Sequence, residues 1–199
     1  MRKTVLLVIS VVITLTSVIF PAAAAEKHEA MKPALLVIDI QNQFLPWMVE
    51  EEREFGLQMI NNAIGLFRQN GFPVIRVYHS DSKWGPDPES EAFRFPESVL
   101  IQDDDLMIIK NYPSAFKKTE LEKMLAKKEC NTVFLCGLSS VGCVLATYFG
   151  AQDRDLDVFM VKDALMSHKE SYTDFIQEIC DTVSWKAMQV MLENTKKPN

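Results

Sequence analysis

The chain has 199 residues, of which 48% are hydrophobic and 24% charged, with a formal net charge of −6 from 21 basic and 27 acidic residues. This length suits one domain with a single sizeable core, and the composition is that of an ordinary globular protein. The acidic balance and the lack of a basic stripe argue against a nucleic-acid binder.

The beginning of the chain has the features of an export signal. Two basic residues start it, residues 5–20 are mainly apolar, and four consecutive alanines end at Ala25. Because the apolar run is shorter than the roughly 20 residues of a membrane span, we expect a cleaved signal peptide of residues 1–25, with an uncleaved anchor as the alternative. Residues 26–199 would then form one periplasmic or secreted domain. Its 19 basic and 27 acidic residues, a charge of −8, also argue against membrane binding by the mature form.

Short apolar segments alternate with amphipathic ones along the rest of the chain. The predicted strands are residues 34–38, 73–78, 106–109, 132–136, 158–161 and a short 182–184. The predicted helices are residues 54–69, 119–128, 140–152, 171–179 and a last one that ends near 192. The first helix has one apolar face formed by Phe55, Met59, Ile60, Ala63 and Phe67. This alternation predicts a parallel β-sheet covered by helices on both faces.

Four cysteines follow the export segment, at Cys130, Cys136, Cys143 and Cys180. An exported chain could form disulfides, but the spacing does not define a pairing and includes no C-x-x-C pair for metal or redox work. Cys136 lies inside an apolar run, so we expect it in the core. At least one of the four cysteines needs a different explanation.

The residues at the strand ends are informative because parallel sheets bind ligands at the carboxyl ends of their strands. These residues are Asp39, Tyr78, His79, Lys110 and the loop 137–143, which contains Cys143. Taken singly, a strand-end Asp or Lys is usually solvated and a lone cysteine is usually packed in the core. An acid, a base and a thiol at one edge of the sheet together predict a nucleophilic site.

The position of Cys143 leads to an expectation about its reactivity. Ser140 is a candidate N-cap, which would put Cys143 in the first turn of a helix. A helix N-terminus and a neighbouring lysine lower a thiol pKa, whereas the Asp39 carboxylate opposes both effects, so that the two groups could share one proton. We expect Cys143 to alkylate faster than the other three cysteines near neutral pH. The alternative is a small apolar side chain packed behind the turn.

Three motifs together resemble the isochorismatase-like cysteine hydrolase family. They are Asp39-Ile-Gln41, Lys110-Asn-Tyr-Pro-Ser-Ala-Phe116 and Gly137-x-x-x-x-x-Cys143-Val144, each after an apolar strand. The resemblance covers nearly all of residues 26–199. It implies a Rossmann-like three-layer α/β/α fold with a six-stranded, mainly parallel sheet. It also implies an Asp39–Lys110–Cys143 triad and a cis peptide between Leu138 and Ser139.

The mechanism that the resemblance implies is acyl transfer to sulfur. Asp39 would act as base and then acid, Lys110 would stabilise charge, and Cys143 would form a thioester. Backbone N–H groups of Ser139 and Cys143 would form the oxyanion hole. The resemblance thus implies an amidohydrolase-type enzyme that cleaves a C–N bond of a small amide, ureide or imide.

Departures from the family pattern narrow this function. Nicotinamidases of the family hold a metal through an Asp-x-His pair and a further histidine, but neither His28, His79 nor His168 lies in such a setting. The sequence therefore predicts no metal ion and no cofactor. Members that cleave isochorismate commonly have glycine where Cys143 stands, so the thiol favours amide or imide hydrolysis. Vinyl-ether hydrolysis of the isochorismate type, and a non-catalytic ligand-binding or thiol-sensing protein, are the alternatives.

Several residues are candidates for contact with a small-molecule substrate. His79 is one, by its place at a strand end, although a solvated loop histidine is an equal alternative. Aromatic residues that could form a small apolar pocket are Phe44, Trp47, Trp84, Tyr112 and Phe116. The sequence leaves open whether the protein forms a homo-oligomer.

Overall fold

The computed structural model describes residues 29–83 and 85–195. The predicted signal peptide and Trp84 lie outside these residues. The described strands are β1 (Pro33–Ile38), β2 (Val74–His79), β3 (Leu106–Lys110), β4 (Thr132–Leu138), β5 (Asp157–Met166) and β6 (Thr182–Val183). They form one six-stranded sheet in the order β3-β2-β1-β4-β5-β6, and every neighbouring pair is parallel.

Helices cover both faces of the sheet, which confirms the three-layer α/β/α fold. They are α1 (Glu50–Gln69), α2 (Leu121–Lys127), α3 (Leu145–Gln152), α4 (Glu170–Ile179) and α5 (Trp185–Asn194). Helices α1 and α5 pack on one face, where Met59 and Leu192 enter the core. Helices α2, α3 and α4 pack on the other face through Leu125, Tyr148 and Ile176. Because β1 is buried on both faces, its sequence is continuously apolar.

Helix α1 differs in two ways from the prediction. It begins four residues earlier, at Glu50, because three consecutive glutamates in its first turn suit the positive end of the helix dipole. Apolar periodicity does not reveal such a turn. Phe55, predicted on the buried face, is 52% exposed. Cys136, in contrast, is fully buried in the core as predicted.

The sheet order positions a ligand site. Strands β2 and β3 follow on one side of β1, and the connection after β3 returns to β4 on its other side, so the strand order reverses at β1 and opens a crevice at its carboxyl end. Both β1 and β4 end at that crevice, with Ile38 beside Gly137. None of the described helices has the length and apolar character required to cross a membrane.

Candidate active site

Four strand ends bring the predicted polar residues together. Asp39 follows β1, His79 ends β2, Lys110 ends β3, and Cys143 follows β4 in the next turn. The register of the sheet pairs His79 directly with Lys110. Side chains separated by up to 104 residues in the sequence therefore meet at one edge of the sheet.

The Lys110 ammonium is the centre of this cluster. Its Nζ lies 2.7 Å from Asp39 Oδ2, 3.1 Å from His79 Nδ1 and 3.2 Å from Cys143 Sγ. The Lys110 side chain is fully buried, and an ammonium has three N–H donors. The three acceptors therefore satisfy every donor that burial removes from water.

The partners of His79 define the roles of its two ring nitrogens. Because an ammonium can only donate, His79 Nδ1 must accept from Lys110, which leaves the ring proton on Nε2 to donate to Asp81 Oδ2 at 2.8 Å. The Gln41 side chain accepts from the His79 backbone N–H at 2.7 Å and donates to its carbonyl at 3.0 Å. Gln41 belongs to the Asp39-Ile-Gln41 motif, and this clamp on β2 is its observed role.

Asp39 combines a strained backbone with an unsatisfied oxygen. Its φ of 54° lies in the left-handed region, which is uncommon outside glycine and typical of functional positions. Its Oδ2 pairs with Lys110, while Oδ1 is buried without a hydrogen-bond partner among the described residues. The carboxylate oxygen and Cys143 Sγ lie within 4.8 Å of each other. Asp39 thus keeps one acceptor without a partner in the described part of the chain, and its carboxylate lies near the thiol.

The turn that carries Cys143 is not the helix start that the sequence suggested. The N-cap position is Ser139, without a side-chain cap, and Ser140 bonds instead to Thr173 Oγ1 at 3.3 Å. Residues 140–144 form a wide turn in which Gly142 has non-helical dihedral angles, φ −112° and ψ −108°. The regular helix α3 begins only at Leu145. Cys143 therefore precedes the first α-helical turn.

Burial, which the sequence did not reveal, adds to the effect of Asp39 on the acidity of the thiol. Burial, and then the negative charge of Asp39, raise the pKa of Cys143 to about 12, and Lys110 only partly opposes them. Burial outweighs the lysine because the thiol is largely withdrawn from water and α3 starts after it. Cys143 is therefore a protonated thiol at neutral pH, and its activation requires a base beside it.

The approach of β4 to β1 depends on a glycine. Gly137 has a φ of 114°, and a Cβ on it would lie 2.1 Å from the Ile38 carbonyl oxygen. One residue further along, the peptide bond between Leu138 and Ser139 is cis, at the position that the resemblance implies. Glycine thus allows the chain to turn into the segment that carries Cys143.

The turn that carries Cys143 is held by the carboxylate of Glu52, which the sequence analysis did not select. Glu52 Oε2 accepts from the Ser167 backbone N–H at 2.7 Å and from Thr173 Oγ1 at 3.0 Å. Those two residues contact the hydroxyl groups of Ser139 and Ser140, at 3.4 and 3.3 Å. Glu52 therefore positions the turn from helix α1.

A cavity of about 220 Å³ opens beside the cluster. Its apolar walls are Phe44, Trp47, Met48 and Leu138, and its lining also includes Asp39, His79, Ser139 and Cys143. Phe44 and His79 were predicted as substrate contacts and line the cavity. Met48 was not predicted, because a single methionine in a loop carries no periodic signal.

Two predicted wall residues do not line this cavity. Phe116 is buried in the core on the face of α2 to α4, against the cation of Arg154, because its motif turns away from the strand end. Tyr112 packs between Lys117 and Lys118, whose Nζ atoms lie 4.4 and 5.3 Å from its ring centre. The Trp84 prediction falls outside the described residues.

Asp39, His79 and Cys143 also have the composition of a metal site, with ligand atoms within 4.8 Å of one another. The Lys110 ammonium bonds to all three residues. A metal ion held by these three groups would therefore have to displace a buried lysine. The three side chains are therefore better suited to binding the Lys110 ammonium than to binding a metal ion.

Comparison with known proteins supports the same family throughout. The family model of the isochorismatase domain matches residues 33–184. YrdC, an uncharacterised isochorismatase family protein of Bacillus subtilis, is 30% identical over 137 residues, 67% of this chain and 73% of that protein. N-carbamoylsarcosine amidase from Thermoplasma acidophilum has a TM-score of 0.66 and 25% identity, covering 77% of this chain and 95% of that chain. An isochorismatase-like hydrolase from Alkaliphilus metalliredigens has a TM-score of 0.75 and 20% identity, covering 84% and 94%.

The sheet order and the cluster at its carboxyl edge define an α/β protein of the isochorismatase-like fold. The match to the domain model spans most of the chain and includes all the strand ends that form the cluster. The chain belongs to the isochorismatase-like hydrolase family, which confirms the resemblance inferred from the motifs.

Proposed function

We propose that this protein is a cysteine hydrolase that cleaves a C–N bond of a small amide, ureide or imide through a thioester on Cys143. One observation carries the proposal. The Lys110 ammonium contacts both Asp39 Oδ2 and Cys143 Sγ, and a carboxylate oxygen of Asp39 lies within 4.8 Å of that sulfur. A cation thereby bridges a base and a nucleophile.

The first half-reaction forms the thioester. Asp39 takes the proton of the Cys143 thiol as sulfur attacks the substrate carbonyl, and the carbonyl becomes a tetrahedral oxyanion. Lys110 offsets the negative charge that builds up on sulfur. Backbone N–H groups of Ser139 and Cys143 bind the oxyanion. Asp39 then returns its proton to the nitrogen, the C–N bond breaks and the amine leaves.

The second half-reaction restores the protein. Asp39 accepts a proton from a water molecule, which attacks the thioester carbonyl. The S–C bond breaks, the acid product leaves, and the proton passes from Asp39 back to sulfur. A protonated resting thiol suits this cycle, because each turnover then begins with transfer of that proton to Asp39.

Ammonia release from a panel of small amides, ureides and imides tests the proposal. We expect turnover by the wild-type protein and a loss of nearly all of it in Cys143→Ala and Cys143→Ser, since a serine hydroxyl is far harder to ionise. Turnover should survive dialysis against a strong chelator. Retention of turnover by Cys143→Ala would refute the nucleophile. Pyruvate release from an enol ether without amide turnover would favour the vinyl-ether alternative.

A non-catalytic ligand-binding or thiol-sensing role gives a different result. Such a protein would bind its ligand with or without Cys143 and would turn over none of the panel. The contact between Asp39 and Lys110 speaks against a bare sensor, which needs no carboxylate.

We also propose that the protein acts after export, on the basis of the apolar segment before Ala25. The protein recovered from the exported fraction should have an intact mass that begins near Glu26. Recovery of the full-length chain in the cytosol alone would contradict export.

A further inference from the structure

Among the described residues, the cavity beside Cys143 offers no free cationic or hydrogen-bond-donating side chain to an anionic ligand. Among the described residues that line it, Asp39 is paired with Lys110 and the His79 ring is engaged at both nitrogens. The Ser139 hydroxyl lies 3.4 Å from that of Ser167. The remaining described walls are aromatic or aliphatic.

The charges of the site also disfavour an anionic ligand. The Lys110 cation is already matched by the Asp39 anion, and no other arginine or lysine is among the described residues that line the cavity. A carboxylate on the substrate would enter an apolar space without a partner and next to the Asp39 anion. A charge that is buried without a partner is strongly unfavourable, so anionic substrates are selected against.

We propose that the cavity takes a neutral amide, ureide or imide whose organic part is apolar, an inference that rests on the function proposed above. At about 220 Å³ the cavity is smaller than the roughly 300–1,000 Å³ of pockets for drug-sized ligands. The organic part is therefore short, a small alkyl or single-ring group. Phe44 and Trp47, whose ring centres lie 5.6 Å apart edge-to-face, form its aromatic side.

Alkylation of Cys143 by reagents of matched size tests this preference without requiring turnover. Iodoacetamide and iodoacetate differ mainly in charge, and N-alkyl iodoacetamides add apolar length. Each rate is divided by that of the same reagent with N-acetylcysteine, and peptide mass mapping assigns the label to Cys143. We expect iodoacetate to be slower by at least about 100-fold. Each added methylene should raise the rate by roughly fourfold until the cavity is filled.

Two variants at the cavity mouth show whether the wall causes the selectivity. Trp47 is 53% exposed, so its replacement should not disturb folding. Trp47→Arg adds a cation and should raise the normalised iodoacetate rate by at least about tenfold, whereas Trp47→Gln, the neutral control, should not. Equal rates for iodoacetate and iodoacetamide in the wild type, or a rate that falls from the first added methylene, would overturn the substrate class.

Turnover separates this inference from the function on which it rests. If anionic amides are hydrolysed faster than neutral apolar ones, the hydrolase stands and the substrate class is wrong. If the apolar reagents label Cys143 selectively but no amide of any charge is hydrolysed, the cavity preference stands and the proposed hydrolysis fails.

Discussion

Replacement of Asp39 by asparagine should change labelling and turnover of Cys143 in opposite directions. The substitution keeps the size of the side chain and removes its negative charge. Asparagine tolerates the left-handed region better than most residues, so the φ of 54° at this position should remain accessible. Lys110 then stays beside the thiol without a competing anion.

The size of the effect follows from the distance between the two groups. At the upper limit of 4.8 Å between the ligand atoms of Asp39 and Cys143, two unit charges interact by about 3.5 kcal/mol at an effective dielectric constant of about 20. Loss of this repulsion lowers the raised pKa of Cys143 and increases the thiolate fraction at pH 7 by about 400-fold. A less basic thiolate is also a weaker nucleophile, by roughly 10-fold to 20-fold here, so alkylation should accelerate by about 20-fold to 40-fold.

Timed iodoacetamide labelling with peptide mass mapping measures this rate, and amide turnover of the same sample should be nearly abolished. The matched control is Glu120→Gln, which removes a carboxylate 2.7 Å from Lys123 at an exposed position and should change neither quantity. If Asp39→Asn labelled no faster than the wild type while its circular dichroism was unchanged, Asp39 would not be the anion that suppresses the thiolate.

The wild-type labelling rate at Cys143 should rise about tenfold per pH unit from pH 7 to 10, because burial raises the thiol pKa to about 12; a plateau below pH 9 would contradict this. Gly137→Ala should lower the free energy of unfolding by at least about 2 kcal/mol, whereas Gly65→Ala, where a Cβ meets nothing within 4 Å, should raise it by about 0.5–1 kcal/mol. Urea denaturation compares the two. Burial raises the pKa of Glu52, so the contribution of this group to stability is lost as pH rises through that pKa. The melting temperature of Glu52→Gln should therefore rise relative to that of the wild type as the pH increases from 4.5, and an unchanged difference would contradict the raised pKa of this half-buried carboxylate.

The parts of the site that the sequence predicted are those tied to strand ends. Apolar runs locate β1, β3 and β4, and the residues after them follow directly, which is why Asp39, Lys110 and Cys143 could be grouped before any coordinates. His79 was a candidate on the same ground. The carboxyl ends of parallel strands lie at the same edge of a sheet. This one rule was therefore enough to predict that residues from four separate segments come together.

The remaining features depend on contacts that sequence patterns do not encode. Glu52 acts through Ser167 and Thr173, which lie 115 and 121 residues away. The wide turn at Gly142 follows from backbone angles that a Ser-rich helix start does not reveal. The acidity of Cys143 depends on its burial, which cannot be read from neighbours in the chain. Phe116 belongs to a recognisable motif, but the motif does not say which face of the sheet it enters.

Because the buried Lys110 ammonium lies on β3, the proposed activity depends on the addition of that strand to the sheet. Lys110 is 71 residues from Asp39 and 33 from Cys143, so neither contact can exist until β3 has docked beside β2. Before that step a chain would expose its thiol without the cation that supports the charge on it. Docking of β3, the strand at the sheet edge, is therefore both an assembly event and the moment at which chemistry becomes available. Recovery of turnover during refolding would therefore report the docking of β3 against β2.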